Sequence, residues 1–102
     1  MEFNTVIGRN LLLEINNVAH DPFLVITMDD LWPIYKKYFD TSTKVIFVES
    51  TDKKLLDDLI LKLGNFSSII GLGGGQAIDV AKYFAWKMKK PFFQFPTSLS
   101  VD

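Results

Sequence analysis

The segment of this chain best suited to chemistry is a glycine-rich stretch, GLGGGQAIDVAK, over residues 71–82. Its three consecutive glycines, Gly73, Gly74 and Gly75, allow a ligand to approach the main chain closely because they carry no side chains. The stretch follows an apolar run and begins an amphipathic one, which predicts a turn from a strand into a helix. The first N–H groups of a helix lack internal partners and attract anions. The pattern therefore favours a phosphate or pyrophosphate site over a turn with a structural role alone.

The same stretch differs from two common phosphate motifs. It lacks the spacing G-x-G-x-x-G, and no Gly-Lys-Ser/Thr ends it as in a P-loop. Asp79 falls in the first turns of the predicted helix, where its carboxylate could compensate the helix dipole and pair with Lys82. It could equally accept hydrogen bonds from loop N–H groups or from a ribose hydroxyl. The residue type alone leaves both interpretations of Asp79 open.

A second polar loop, PTSLSVD over residues 96–102, follows the last predicted strand. The carboxyl ends of parallel strands border the ligand crevice in open α/β sheets. The hydroxyls of Thr97, Ser98 and Ser100 are therefore expected beside the glycine loop. The carboxylate of Asp102 could hold a hydroxyl of a polyol.

Composition excludes several other classes of protein. The 102 residues are 48% hydrophobic, and the net charge of −1 argues against a nucleic-acid module that neutralises phosphates. The absence of cysteine excludes disulfides and thiolate metal sites. No apolar run is long enough to span a membrane, and the N-terminus lacks the pattern of a signal peptide, so a cytoplasmic protein is expected. His20, which is the single histidine, is interpreted as a surface turn residue and not as a metal ligand.

The elements that must position the two loops alternate along the chain. Short apolar runs predict strands over residues 3–7, 23–28, 44–49, 68–72 and 91–96. Amphipathic patterns predict helices over residues 10–18, 30–39, 52–63 and 76–89. The runs at 44–49 and 68–72 are nearly continuous, which is typical of strands buried on both faces. This alternation predicts an α/β fold, a parallel sheet with helices on both faces.

Together, GLGGGQAIDVAK and PTSLSVD resemble one superfamily, which includes iron-type alcohol dehydrogenases, glycerol dehydrogenases, glycerol-1-phosphate dehydrogenases and dehydroquinate synthases. The similarity is strongest to the glycerol and glycerol-1-phosphate dehydrogenase branch, and its motifs cover about a third of the chain. The resemblance implies that residues 1–102 are the Rossmann-like, N-terminal dinucleotide-binding domain of a two-domain enzyme. The helical, metal-binding C-terminal domain would then be missing, and this fragment alone is expected to be inactive.

The resemblance also implies roles for particular residues. Those that would bind NAD or NADP are Gly74, Gly75, Gln76, Ala77, Ile78, Asp79, Thr97, Ser98, Leu99 and Ser100. Asp102 would bind the substrate, a polyol or polyol phosphate. A zinc or iron ion would polarise the substrate alcohol, with ligands outside this chain, and no catalytic residue is assigned within it.

Two alternatives stay open. One is an NAD-dependent cyclase or lyase similar to dehydroquinate synthase, which belongs to the same superfamily. The other is a non-enzymatic, flavodoxin-like binding module. A small-molecule substrate is expected, and neither a nucleic acid nor a membrane is. Aromatic residues such as Trp32, Phe39 and Trp86 could line an interface in a homo-oligomer, but burial in the core or partial exposure is more common for such residues.

Overall fold

The computed structural model describes residues 3–5 and 22–96, and its strands and helices alternate along the chain. The strands are β1 (Phe3–Thr5), β2 (Phe23–Thr27), β3 (Lys44–Phe47), β4 (Ser68–Gly73) and β5 (Phe92–Pro96). The helices are α1 (Trp32–Tyr35), which continues into a 3-10 turn (Lys36–Tyr38), α2 (Lys53–Lys62) and α3 (Gly75–Met88). The helix predicted over residues 10–18 and the turn predicted at His20 lie outside the described residues. Within them, no helix is long and apolar enough to cross a membrane.

The five strands form one parallel sheet in the order β1-β5-β4-β2-β3, which confirms the predicted α/β class. β4 lies at its centre with β2 beside it, and every residue of β2 and β4 is buried. Helix α3 packs against one face together with Leu56 of α2. The aromatic side chains of α1 and of the turn after it pack against the other face. Helices on both faces explain why these central strands carry continuous apolar runs.

β3 was predicted to be buried on both faces, but it is only partly buried. It is the outermost strand of the described sheet, and the side chains of Lys44 and Phe47 are exposed. Val45 and Ile46 are partly buried, each against the core on a different face of the sheet. This partial burial accounts for the apolar run. An apolar run does not reveal whether another strand lies beyond it.

The helix predicted over residues 30–39 is shorter and tighter than expected. Only Trp32–Tyr35 is α-helical, and the chain then tightens into the 3-10 turn Lys36–Tyr38. Trp32, Tyr35 and Tyr38 recur every three residues and all pack against the same core cluster. Side chains three apart eclipse one another in a 3-10 helix but drift around an α-helix. The aromatic spacing therefore suits the tighter helix.

Helices α2 and α3 are joined by a polar contact. The Tyr83 hydroxyl donates to Oδ1 of Asp57 at 2.7 Å. This hydrogen bond, with partial desolvation and the negative charge of Asp57, raises the pKa of Tyr83 above its ordinary value. The Lys87 ammonium lies 3.8 Å from the same carboxylate oxygen. Because the carboxylate accepts from Tyr83, the contact fixes one packing of α2 against α3.

Helix α3 ends at a strained residue. Lys89, directly after the helix, has φ 58° and ψ 48°, while Lys90 N donates to Ala85 O at 3.0 Å. A left-handed conformation is costly for a residue with a side chain and is usually taken by glycine. Lys89→Gly is therefore expected to raise the free energy of unfolding by about 1 kcal/mol, measured by urea denaturation. Lys82→Gly, within the same helix, should instead lower it by about 1 kcal/mol, and a loss of stability in both variants would contradict the prediction.

Candidate functional site

The glycine loop lies at the point where the sheet changes its direction of winding. From β2 the chain moves outward to β3, whereas from β4 it moves the other way to β5. The connections after the adjacent strands β2 and β4 therefore diverge and leave a crevice at their carboxyl ends. Ligands bind at this topological switch point in open α/β sheets. The glycine loop follows β4. The sequence did not show that this strand would lie beside β2.

Two glycines of the loop are required by packing. A Cβ on Gly71 would lie 2.8 Å from the Ala81 Cβ, so α3 approaches β4 too closely for a side chain there. Gly73 has φ 143°, and its Cβ would lie 3.1 Å from Leu31 Cδ1. Such a φ is rarely adopted by residues with a side chain. Gly71 and Gly73 therefore let the loop form, and they would be needed even without a ligand.

The next two glycines are different. No atom of the described residues lies within 4 Å of a Cβ built on Gly74 or on Gly75. Gly74 has φ −86°, which residues with side chains also adopt, and it precedes α3 without a side-chain cap. Neither packing nor backbone conformation in the described residues thus requires a glycine at these two positions. A ligand that approaches the main chain closely would require that no side chain cover it on the side of the crevice.

The start of α3 presents N–H groups to this open space. The first backbone bond across the helix start runs from Ile78 N to Gly74 O, at 3.1 Å. The N–H groups of Gly75, Gln76 and Ala77 precede it and have no acceptor within the helix. They also lie at the positive end of the dipole of a 14-residue helix. The arrangement can hold a phosphate or pyrophosphate without a charged side chain.

The side chains of the predicted site residues in this helix point in two directions. Gln76 and Asp79 are exposed, so both can reach a ligand. Ala77 is 1% and Ile78 is 7% exposed, and both side chains belong to the core beneath α3. Any contact between Ala77 and a ligand would therefore come mainly from its main chain. Ile78 already donates its N–H to Gly74, so packing is the role that the structure gives its side chain.

The second predicted loop starts beside the first. β5 ends at Pro96, which is paired in register with Gly73 of β4. Pro96, the first residue of the predicted loop, therefore lies next to the glycine loop. The remaining predicted site residues are Thr97, Ser98, Leu99, Ser100 and Asp102. They lie outside the described residues, so their assignments stay predictions.

The turn after β2 forms the other border of the crevice. Leu31 N and Trp32 N both donate to Met28 O at 3.1 Å, which folds the chain back after the strand. Asp29 and Asp30 are exposed in this turn. Thr27, the last residue of β2, is fully buried, and its hydroxyl has no hydrogen-bond partner in the described part of the chain. The contact of Leu31 with the glycine loop could not be anticipated, because it depends on β2 and β4 being neighbours.

The described residues do not form a metal site. Within residues 3–5 and 22–96, no group of three or more histidine, cysteine, aspartate or glutamate side chains is placed to hold a metal ion. A zinc or iron ion, which the sequence resemblance implies, does not fit this part of the chain.

Comparison with known proteins identifies relatives of the same kind. The chain is 40% identical over 70 residues to a glycerol-1-phosphate dehydrogenase (NAD(P)+) of Methanococcus aeolicus, a match covering 66% of this chain and 20% of the relative. It is 34% identical to the enzyme of the same name from Pyrococcus horikoshii, over all of this chain and 34% of that one. The chain therefore spans only about a fifth to a third of the length of these relatives.

Structural and family comparisons agree with this result. The glycerol dehydrogenase of Schizosaccharomyces pombe superimposes with a TM-score of 0.73 at 26% identity, over 92% of this chain and 27% of that one. The model of the iron-containing alcohol dehydrogenase family matches residues 36–102, which include β3, β4, β5 and both predicted loops. The chain therefore belongs to the iron-containing alcohol dehydrogenase family.

Proposed function

We propose that this chain is the dinucleotide-binding part of an NAD(P)-dependent dehydrogenase that oxidises a polyol or a polyol phosphate. The observation that carries the proposal is the pair of open glycines, Gly74 and Gly75, at the switch point of the sheet. The cofactor and the substrate class are those in the names of the relatives. Family membership favours this role over that of a flavodoxin-like binding module.

In this proposal the pyrophosphate lies against the first turn of α3. The N–H groups of Gly75, Gln76 and Ala77 donate to its oxygens, and the helix dipole favours its negative charge. The exposed side chains of Gln76 and Asp79, three residues apart on α3, bind hydroxyls of a ribose. The nicotinamide supplies the hydride acceptor, and the chain's own contribution is to hold and orient the dinucleotide.

The second loop completes the proposed site. Thr97, Ser98, Leu99 and Ser100 contact the same cofactor, and Asp102 binds a hydroxyl of the polyol. The start of this loop beside Gly73 supports that arrangement. The zinc or iron ion that the sequence resemblance implies would take its ligands from outside the described residues.

The turn after β2 should set the choice between the two cofactors. A carboxylate at the end of a strand beside the switch point accepts hydrogen bonds from a ribose diol and repels a 2′-phosphate. Asp29 is the exposed carboxylate nearest the end of β2 in the chain. Asp29→Ser is therefore expected to raise the affinity for NADP relative to NAD by about tenfold or more, measured by calorimetric titration. Asp30→Ser is the matched control, and an equal shift in both variants would remove Asp29 from this role.

Titration of the chain with NAD and with NADP tests the proposed function directly. Saturable binding of either dinucleotide, competed by pyrophosphate, is the expected result. If the folded chain bound neither NAD nor NADP, the glycine loop would have only the structural role of a turn. Assays of glycerol and glycerol-1-phosphate oxidation, on the longest form of the protein that can be produced, then separate the branches. Binding without oxidation of either would favour the cyclase or lyase alternative.

A further inference from the structure

The last residue of β2 carries a buried polar group without a partner. Thr27 is fully buried, and its hydroxyl forms no hydrogen bond with any of the described residues. Such a hydroxyl destabilises a protein, because it has lost its hydrogen bonds to water and gained none in return. Native proteins pair the great majority of their buried polar groups, so this exception requires a physical reason.

Thr27 lies on the face of the sheet that the following turn and α1 cover. Side chains two residues apart on a strand lie on the same face. Val25 belongs to the core cluster against which Trp32 of α1 packs, so Thr27 shares that face, at the carboxyl end of β2. The turn over residues 28–31 leads from this strand end into α1. The unpaired hydroxyl is therefore next in the chain to the turn that borders the crevice.

The turn contains donors that no main-chain acceptor uses. Leu31 N and Trp32 N both donate to Met28 O at 3.1 Å. Within the described part of the chain, no main-chain hydrogen bond starts from the N–H of Asp29 or Asp30. Both of these residues are exposed. An unpaired hydroxyl and two N–H groups without main-chain acceptors thus lie within four consecutive residues.

A threonine can pair such groups within its own turn. In an ST turn, the hydroxyl oxygen of serine or threonine accepts a hydrogen bond from the N–H two residues further along the chain. For Thr27 that donor is the N–H of Asp29. The carboxylate of Asp29 is the group that the proposed function assigns to the ribose diol. A hydrogen bond from Asp29 N to Thr27 Oγ1 would therefore fix the residue that holds the ribose.

From these observations we propose that Thr27 is a positioning residue for the ribose of the dinucleotide. When NAD binds, Asp29 N donates to Thr27 Oγ1, and the Asp29 carboxylate accepts from the ribose hydroxyls. The ligand selects this arrangement of the turn because it binds the carboxylate held there. The buried hydroxyl favours the same change, since it gains a partner. The inference rests on the proposed function, because it requires a ribose at Asp29.

Thr27→Val tests this role, because valine keeps the branched shape of the side chain and removes the hydroxyl. We expect the affinity for NAD to fall about tenfold, the effect of one ordinary hydrogen bond, in calorimetric titration. The affinity for inorganic pyrophosphate, which lacks a ribose, should stay unchanged. Thr27→Ser keeps the hydroxyl and should recover most of the affinity for NAD. Thr43→Val, directly before β3 at its amino end, is the matched control and should bind NAD as the wild-type chain does.

Two further measurements separate positioning from a purely structural role. Without dinucleotide, Thr27→Val should raise the midpoint of thermal unfolding by about 2–5 °C, because the hydroxyl has no bond to lose. A lower midpoint would mean that the hydroxyl is already paired in the ligand-free chain, and it would overturn the inference. In a chain that carries Asp29→Ser, Thr27→Val should no longer change the affinity for NAD, because the hydroxyl acts through Asp29. An equal loss with and without Asp29→Ser would overturn it too.

The results for the wild-type chain and for Thr27→Val distinguish this inference from the proposed function. If the folded wild-type chain bound no dinucleotide, both would be wrong. If the wild-type chain bound NAD and Thr27→Val bound it equally tightly, the role of Thr27 alone would be wrong. The assignment of the glycine loop would then stand.

Discussion

Gly75→Val is expected to abolish dinucleotide binding, with at least about a 100-fold loss of affinity, while the chain stays folded. The physical reason is that a Cβ on Gly75 meets no atom of residues 3–5 and 22–96 within 4 Å, so valine fits the described fold. Its branched side chain would occupy the space over the first turn of α3, where the pyrophosphate needs direct access to main-chain N–H groups. Calorimetric titration with NAD and NADP, together with thermal unfolding, measures both parts of this result.

Gly64→Val is the appropriate control for that variant. A Cβ on Gly64 would also meet no atom within 4 Å in the described part of the chain, but this residue lies in the loop between α2 and β4, away from the carboxyl ends of the strands. Gly64→Val should therefore leave both stability and dinucleotide affinity nearly unchanged. If Gly75→Val bound NAD and NADP as tightly as the wild-type chain, the assignment of the glycine loop would be wrong.

The alternation of strands and helices could be predicted because each element carries a local signal. The boundaries of β2, β4 and α3 fall within one residue of those predicted. β2 and β4 carry apolar runs, and α3 carries an amphipathic pattern between the glycines that precede it and the lysines at its end. These are properties of short stretches of chain, so the sequence contains them. The parallel α/β class follows from the alternation itself.

The neighbours of each strand could not be predicted in the same way. The apolar runs of β2 and β3 look alike, yet β2 is central and β3 outermost. The order of strands depends on contacts between distant residues, to which no local pattern corresponds. For the same reason the sequence did not reveal the crevice between the ends of β2 and β4, or the approach of Leu31 to Gly73.

The glycine loop shows which roles within one motif could be interpreted from the sequence and which could not. Its three consecutive glycines were interpreted together as freedom for a ligand to approach. The structure separates them, because Gly73 is held by its φ of 143° and by close neighbours, whereas no described atom lies close to a Cβ on Gly74 or Gly75. Gly71, two positions earlier, is required by the approach of α3 to β4. Gly74 and Gly75 alone of these four have no such requirement among the described residues, so the proposed contact with a ligand rests on these two.

This division predicts the opposite outcome for Gly71→Val. Its Cβ would lie 2.8 Å from the Ala81 Cβ and 3.1 Å from Phe92 Cε1, both in the core between the sheet and α3. Overpacking of this kind costs about 3 kcal/mol, against roughly 5–15 kcal/mol of total stability for a domain. We expect the midpoint of thermal unfolding to fall by on the order of 15 °C, measured by calorimetry.

A graded series separates this effect from a loss of the ligand. Gly71→Ala should lower the unfolding midpoint less than Gly71→Val, because Ala81 and Phe92 must yield to one methyl group only. Both Gly71 variants should lose stability in the absence of any dinucleotide, whereas Gly75→Val should not. If Gly71→Val kept wild-type stability, α3 could move away from β4 at little cost. The position of the first turn of α3 would then not be fixed by packing, and the open space beside Gly74 and Gly75 could not be preformed for a pyrophosphate.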